Sequence, residues 1–247
     1  MRKLTQENRN KKFSIIIPAH NEEKYIAGCL ESIKAASERY KDQVEIIVVL
    51  NRCTDRTEEI AKSYNAITIK NKDKNLSKIR NAGAKVATGD ILITIDADTK
   101  MSKGFLSKVN LLLSSGLFIG GGTSGLFDRM SLGILTSVAA ISIPMLIKYG
   151  LISVGIFWCY RKDFVAINGF NEELLMAEDA DFAHRLMMWG LVNRKLFGII
   201  PFGMLTSSRK FDKFGDWVMV KNPRYIWSYL KGTDKKRAEE LYYDYDH

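Results

Sequence analysis

Cysteine is scarce in this chain of 247 residues, and Cys29, Cys53 and Cys159 stand far apart with no C-x-x-C pair. That spacing excludes a disulfide scaffold and a zinc site of the usual kind, and it fits a reducing compartment. Glycine-rich phosphate loops are absent as well. No G-x-G-x-x-G and no P-loop follows any candidate strand, so a dinucleotide dehydrogenase or P-loop kinase is not expected. The first twelve residues are polar and lack an apolar h-region, which predicts a loosely ordered arm (1–12) rather than a signal peptide. Internal repeats and low-complexity tracts are missing. One uncharged apolar stretch, Leu132 to Ile147, contains Pro144 and falls short of the roughly 20 apolar residues that a membrane span needs. It predicts a buried or membrane-surface helix within 130–150, or a seam between two copies.

What is present is ordinary for a globular domain: 46% hydrophobic and 26% charged residues. The length suits one domain with a substantial core plus a short appendage. A net charge of +9 favours anionic partners such as nucleotides or phospholipid head groups. The basic residues form no compact stripe interleaved with aromatics, so no nucleic acid is expected.

Hydrophobic patterning organises the first hundred residues. Phe13 to Pro18 and Val44 to Leu50 read as buried strands, Ala66 to Lys70 as a short one, and Ile91 to Ile95 as a fourth. Between them, Tyr25, Ile26, Cys29, Leu30, Ile33 and Ala36 make a helical stripe, as do Ile79, Ala82, Gly83 and Val86. This β-α alternation predicts an α/β fold with a mostly parallel central sheet flanked by helices. Beyond residue 100 the alternation gives way to a smaller mixed half, with strands read at Leu117–Ser124 and Val154–Tyr160 and a helix from about Glu178 to Trp189.

Ligands of such sheets bind beyond the carboxyl ends of the strands. Three polar stretches fall there: Pro18-Ala19-His20-Asn21-Glu22, Asn51 to Asp55, and Asp96-Ala97-Asp98. The period of two places Asp96 and Asp98 on one side of the sheet edge. Their oxygens suit Mg2+ or Mn2+, which bind one or two carboxylates together with substrate phosphates.

These segments, taken in order with Arg80-Asn81-Ala82-Gly83, Arg161, Gly169 to Glu172, and Glu178-Asp179, resemble the inverting family 2 glycosyltransferases of GT-A fold. The resemblance covers about residues 13 to 190. It implies a nucleotide-sugar half (13–100) and an acceptor half (101–210), and the aromatic and basic tail (211–247) carries no part of it. It implies sugar transfer from a UDP- or GDP-linked donor to an acceptor glycan or lipid-linked acceptor. Asp98 would hold the metal ion, with Asp96 beside it or toward the ribose, and Asp179 would be the base. Pro18, His20, Glu22, Asn51, Asp55 and Arg80 would line the donor site, and Arg209 and Lys210, in a stretch resembling a basic motif of non-processive members, would meet the diphosphate. Trp158, Arg161 and Glu178 would lie on the acceptor side. The family often has two adjacent acids where this chain has Leu50-Asn51, so Asn51 or Asp55 would stand in. The Q-x-x-R-W motif of processive synthases is absent, which implies one transfer per encounter. The expected location is cytoplasmic, with a peripheral seat on the membrane face as an extension. The competing readings are sugar-phosphate nucleotidyl transfer and a non-catalytic basic binding module.

Overall fold

A computed structural model describes residues 11–150 and 155–242. Strand β1 (Phe13–Ala19), buried at every position, lies in the middle of the first half-sheet. It pairs in parallel with β2 (Val44–Asn51) and β4 (Ile91–Thr94), and β3 (Ile67–Asn71) extends β2 in the same sense. The continuous apolar runs of β1 and β2 arise because both faces are covered. Ile15, Ile17 and Val48 enter a core shared with α1 (Ile26–Ala36), α2 (Thr57–Ser63) and α4 (Phe105–Ser114). Their neighbours Ile16, Ile47 and Val49 enter a second core with α3 (Leu76–Val86) and α7 (Glu178–Val192).

The second half of the sheet is mixed. β7 (Phe157–Tyr160) runs antiparallel to β4 and to β6 (Phe118–Phe127), β8 (Leu196–Thr206) runs parallel to β6, and β5 (Thr99–Met101) closes the edge antiparallel to β8. The full order is β3-β2-β1-β4-β7-β6-β8-β5. The strand read at 117–124 is present with shifted ends and the one read at 154–160 is present from Phe157, residue 154 lying outside the described residues, whereas β5 and β8 had no counterpart in the sequence reading.

Two expected acceptor-side residues lie elsewhere. Trp158 is fully buried in the first core, and its indole N–H donates to Gly122 O at 3.1 Å. A side chain at Gly121 would run into Trp158 and the Gly198 carbonyl, so the glycine run of β6 is the space that admits the ring. Arg161 sits at the amino-terminal edge of the sheet, because Tyr160 of antiparallel β7 lies opposite Ile91, the first residue of β4. Starting α6 (Arg161–Ala166), it donates to Ala87 O at 2.8 Å and to Thr88 O at 3.3 Å, far from the carboxyl edge.

The remaining helices cover one side of the carboxyl edge. They are α5 (Leu132–Tyr149), α8 (Arg209–Phe214), α9 (Val218–Lys221), α10 (Pro223–Lys231) and α11 (Lys235–Tyr242). The boundary expected at residue 210 falls inside α8. Met176, Val218, Tyr225 and Ala238 form a small core that fastens these helices to the loop before α7. Helix α5 alone among the described residues is long and apolar enough to cross a membrane, yet most of it is uncovered. Leu132 is 69% exposed and Ile147 is 81% exposed.

Helix α3 lies close against the sheet at Gly83, where an added Cβ would meet the side chains of Ile16 and, at 2.9 Å, Val49. Neither β-branched neighbour has room to move in a filled core. Gly83→Ala should therefore cost about 1–3 kcal/mol of stability in denaturant unfolding. A variant as stable as the parent would contradict this close approach.

Candidate active site

The carboxyl ends of β1, β2 and β4 open onto a cleft of about 540 Å³. Its hub is Arg80, on α3 and only 1% exposed. Asn75 starts that helix by accepting a hydrogen bond from the Lys78 amide. One guanidinium nitrogen of Arg80 donates to Asp96 Oδ1 at 2.8 Å, and the other donates to Glu178 Oε1 at 2.9 Å and Asp179 Oδ1 at 2.8 Å. The Phe170 ring lies under the guanidinium, 5.1 Å from its centroid to the central carbon. Burial alone would lower the pKa of Arg80, but Asp179, Asp96 and Glu178 outweigh it and hold the side chain charged.

The neighbouring residues of the same motif explain how this hub is built. Asn81 donates to Phe170 O at 2.9 Å and to Glu172 Oε1 at 3.0 Å, and accepts from the Phe170 amide at 2.9 Å. It thereby fixes the loop that carries the ring beneath Arg80. Gly83 allows the helix close enough for the reach.

Asp179 is the second residue of α7, and Ala177 before the helix has φ of 59°, a left-handed conformation unusual for a residue with a Cβ. That bend turns Glu178 and Asp179 into the cleft. Burial pushes the Asp179 carboxyl up to about 7, Arg80 opposes the rise, and the charges of Glu178 and Asp96 add to it. A carboxylate poised there is suited to take a proton at neutral pH.

On the other side, Arg209 forms a two-pronged ion pair with Glu22, at 2.8 and 2.6 Å, and its Nε lies 3.0 Å from Asp98 Oδ2. Its guanidinium also rests on the Tyr25 ring, 4.7 Å from the centroid. Burial raises Glu22 to about 7 against the pull of Arg209, with Asp98 and Asp96 adding to the rise. Burial likewise raises Asp98, opposed by Arg209 and Lys210.

Pro18, His20, Glu22, Asn51, Arg80, Asp96, Asp98, Glu178, Asp179, Arg209 and Lys210 all line this one cleft. His20 Nδ1 is 2.6 Å from Asn51 O, joining the first two strand-end loops. The Asn51 amide donates to Asn71 Oδ1 at 3.2 Å and Asp73 O at 2.7 Å, so it ties the ends of β2 and β3 together. Asp55 does not line the cleft. Its carboxylate accepts from the amides of Glu23 and Thr57, both at 3.0 Å, and from Thr57 Oγ1 at 2.6 Å, which occupies it in bracing the start of α2. Sequence reasoning missed Thr123, Met204 and Thr206, which line the cleft from β6 and β8, and the α5 face that reaches it. The apolar run of α5 was the only signal, and it did not reveal which side faces the site.

Five carboxylates and three strong cations line the cleft, leaving a formal excess of negative charge. Among the described residues no group of three or more His, Cys, Asp or Glu side chains gathers as a closed ligand set. Asp96 and Asp98 instead fit a hard cation that is completed by substrate phosphates and water.

Comparison with known proteins agrees with this geometry. The structure of Staphylococcus aureus TarS residues 1–349 with UDP-GlcNAc superposes with a TM-score of 0.62 at 20% identity, covering 93% of this chain and 70% of that one. Glucosyl-3-phosphoglycerate synthase from Mycobacterium tuberculosis, with Mn2+, UDP and phosphoglyceric acid, gives 0.64 at 17% identity, covering 92% and 80%. The fold is that of the GT-A glycosyltransferases. Residues 14–118 match the model of "Glycosyl transferase family 2". Poly(ribitol-phosphate) beta-N-acetylglucosaminyltransferase TarS of S. aureus is 34% identical over 98 residues, 37% of this chain and 17% of that protein. Glycosyltransferase AglE of Haloferax volcanii is 31% identical over 117 residues, 44% and 38% of the two. The match thus spans well under half the length of both curated relatives.

Removing the hub charge has a predictable cost. Arg80→Met leaves Asp96, Glu178 and Asp179 facing one another and should destabilise the protein by about 3–5 kcal/mol above pH 7. The deficit should shrink as pH falls, because a carboxyl whose folded pKa is raised stabilises the fold at low pH and loses that contribution as pH rises. Denaturant unfolding at pH 5 and pH 8 measures it, and an equal loss at both values would contradict the ion-pair account.

Proposed function

We propose that this protein transfers a sugar from a nucleoside diphosphate to an acceptor hydroxyl, inverting the anomeric carbon, with one transfer per encounter. The observation that carries the reading is the Arg80 bridge, which puts the donor-side Asp96 and the acceptor-side Asp179 on opposite arms of one guanidinium. The UDP and UDP-GlcNAc complexes of the structural neighbours support a uridine-linked donor, and a GDP-linked donor has the same phosphate chemistry.

Asp98 and Asp96 would hold Mn2+ or Mg2+, which supplies Lewis-acid neutralisation of the leaving diphosphate. Arg209 and Lys210 donate to the same phosphate oxygens, where donors aimed at developing charge act most strongly. Asp179 removes the acceptor hydroxyl proton as that oxygen bonds to the anomeric carbon. The bond from this carbon to the diphosphate breaks on the opposite face, and its electron pair leaves with the phosphate oxygen. This parallels the single displacement by which a carboxylate base serves inverting hydrolases. Arg80 holds Asp179 in place and opposes the burial that would otherwise keep it protonated. The uncovered apolar face of α5, with Lys148 near its end, supports a peripheral seat on the cytoplasmic face of a membrane.

A panel of nucleotide sugars with Mn2+ or Mg2+, followed by nucleoside diphosphate release, tests the reading. Asp179→Asn should lose turnover by about 10²–10⁴-fold while still binding donor, and Asp98→Asn should weaken metal-dependent donor binding. The parent's kcat/KM should rise with pH through about 7, since the base works deprotonated. Release of pyrophosphate would favour nucleotidyl transfer instead. Undiminished turnover in Asp179→Asn would refute its role.

A further inference from the structure

The cleft does not end at its carboxylates. The same cavity has an apolar wall, here called its arm, formed by Val138, Ile141 and Met145 of α5, Phe211 and Phe214 of α8, and Tyr229 of α10. Val138, Ile141 and Met145 recur at intervals of three and four and so share one face of α5. The opposite face carries Ile143 and Ile147, both exposed. Helix α5 thus presents apolar side chains on two sides, one to this arm and one to the surroundings.

A nucleotide sugar is polar along its length and has no use for such a surface. Water gains little from it either, because an apolar wall offers few hydrogen bonds. We propose that the arm binds the hydrocarbon chain of a lipid-linked acceptor, whose polar head then lies beside Asp179 and Ala180, which line the same cavity. The assignment rests on the sugar-transfer reading, because that reading makes the Asp179 side the acceptor side. Two observations favour this occupant over others. The apolar wall and Asp179 line one cavity, so a chain lying along the wall keeps its own head in the space that holds the base. The outer face of the same helix is apolar and uncovered, which suits entry from a lipid phase.

Monomeric n-alkyl phosphates of six to fourteen carbons, kept below their micellar concentrations, probe the arm by calorimetry on the full chain. Affinity should rise about fourfold for each added methylene until the arm is full. Met145→Arg and Val138→Trp, which put charge or bulk into the arm, should each weaken the tightest chain at least tenfold. Binding of UDP with Mn2+ should stay within twofold in both variants, which shows that the fold and donor side survive. Ile147→Asp, on the outer face, should leave chain binding unchanged. Affinity that ignores chain length or the arm substitutions would overturn the proposal, as would equal losses in Ile147→Asp and Met145→Arg. Binding to phosphatidylglycerol vesicles without any binding of monomeric chains would assign the apolar surface to bulk lipid and overturn it too. If the chains bind but UDP does not, the donor reading fails and the arm stands.

Discussion

A single buried guanidinium, shared by carboxylates from two separate parts of the chain, is the constraint on which the site depends. Arg80 cannot sit uncharged, and it cannot be charged in the core without partners. Asp96 reaches it from the end of β4, and Glu178 and Asp179 reach it from the start of α7. Charge neutralisation thus ties the two sides of the cleft together, in addition to the two apolar cores that both halves share. The Phe170 ring and the bonds of Asn81 keep the guanidinium from tilting toward either side.

The same logic operates on the donor side with the charges arranged differently. Arg209 neutralises Glu22 and touches Asp98, yet Lys210 is the one further strong cation lining the cleft, and the carboxylates remain in excess. Such a site holds its acids close together by burying them, and their raised pKa values are the consequence. A divalent cation arriving with a diphosphate would relieve that repulsion and free Arg209 to face the phosphate. One electrostatic imbalance thus runs through both sides of the cleft.

Much of the first half was legible because its signals are local. Alternating apolar strands and helices between residues 13 and 95 mark a parallel sheet, and a parallel sheet marks its carboxyl edge. The second half resisted for physical reasons. Residues 196–206 contain Gly198, Pro201 and Gly203, which read as turn-forming, yet they make β8 because β6 and β5 pair with them from distant parts of the chain. Arg161 looked like an acceptor residue until the antiparallel direction of β7 placed it at the wrong end of the sheet. Trp158 carried the chemistry of a sugar platform, but the space beneath the glycines of β6 decided its fate. Asp55 was a candidate acid that proved to be a loop brace. Arg80 was expected to line the donor site, and its partners almost a hundred residues away were invisible without the fold.

The most direct test of the shared guanidinium is the titration of the Asp179 carboxyl carbon, followed by 13C NMR in the parent and in Asp96→Asn. Removing the Asp96 charge takes away a repulsion and leaves Arg80 to its remaining partners, so the Asp179 midpoint should fall below its parent value of about 7. A midpoint that does not move would show that the two carboxylates do not feel each other through Arg80, and the account of the site would be wrong.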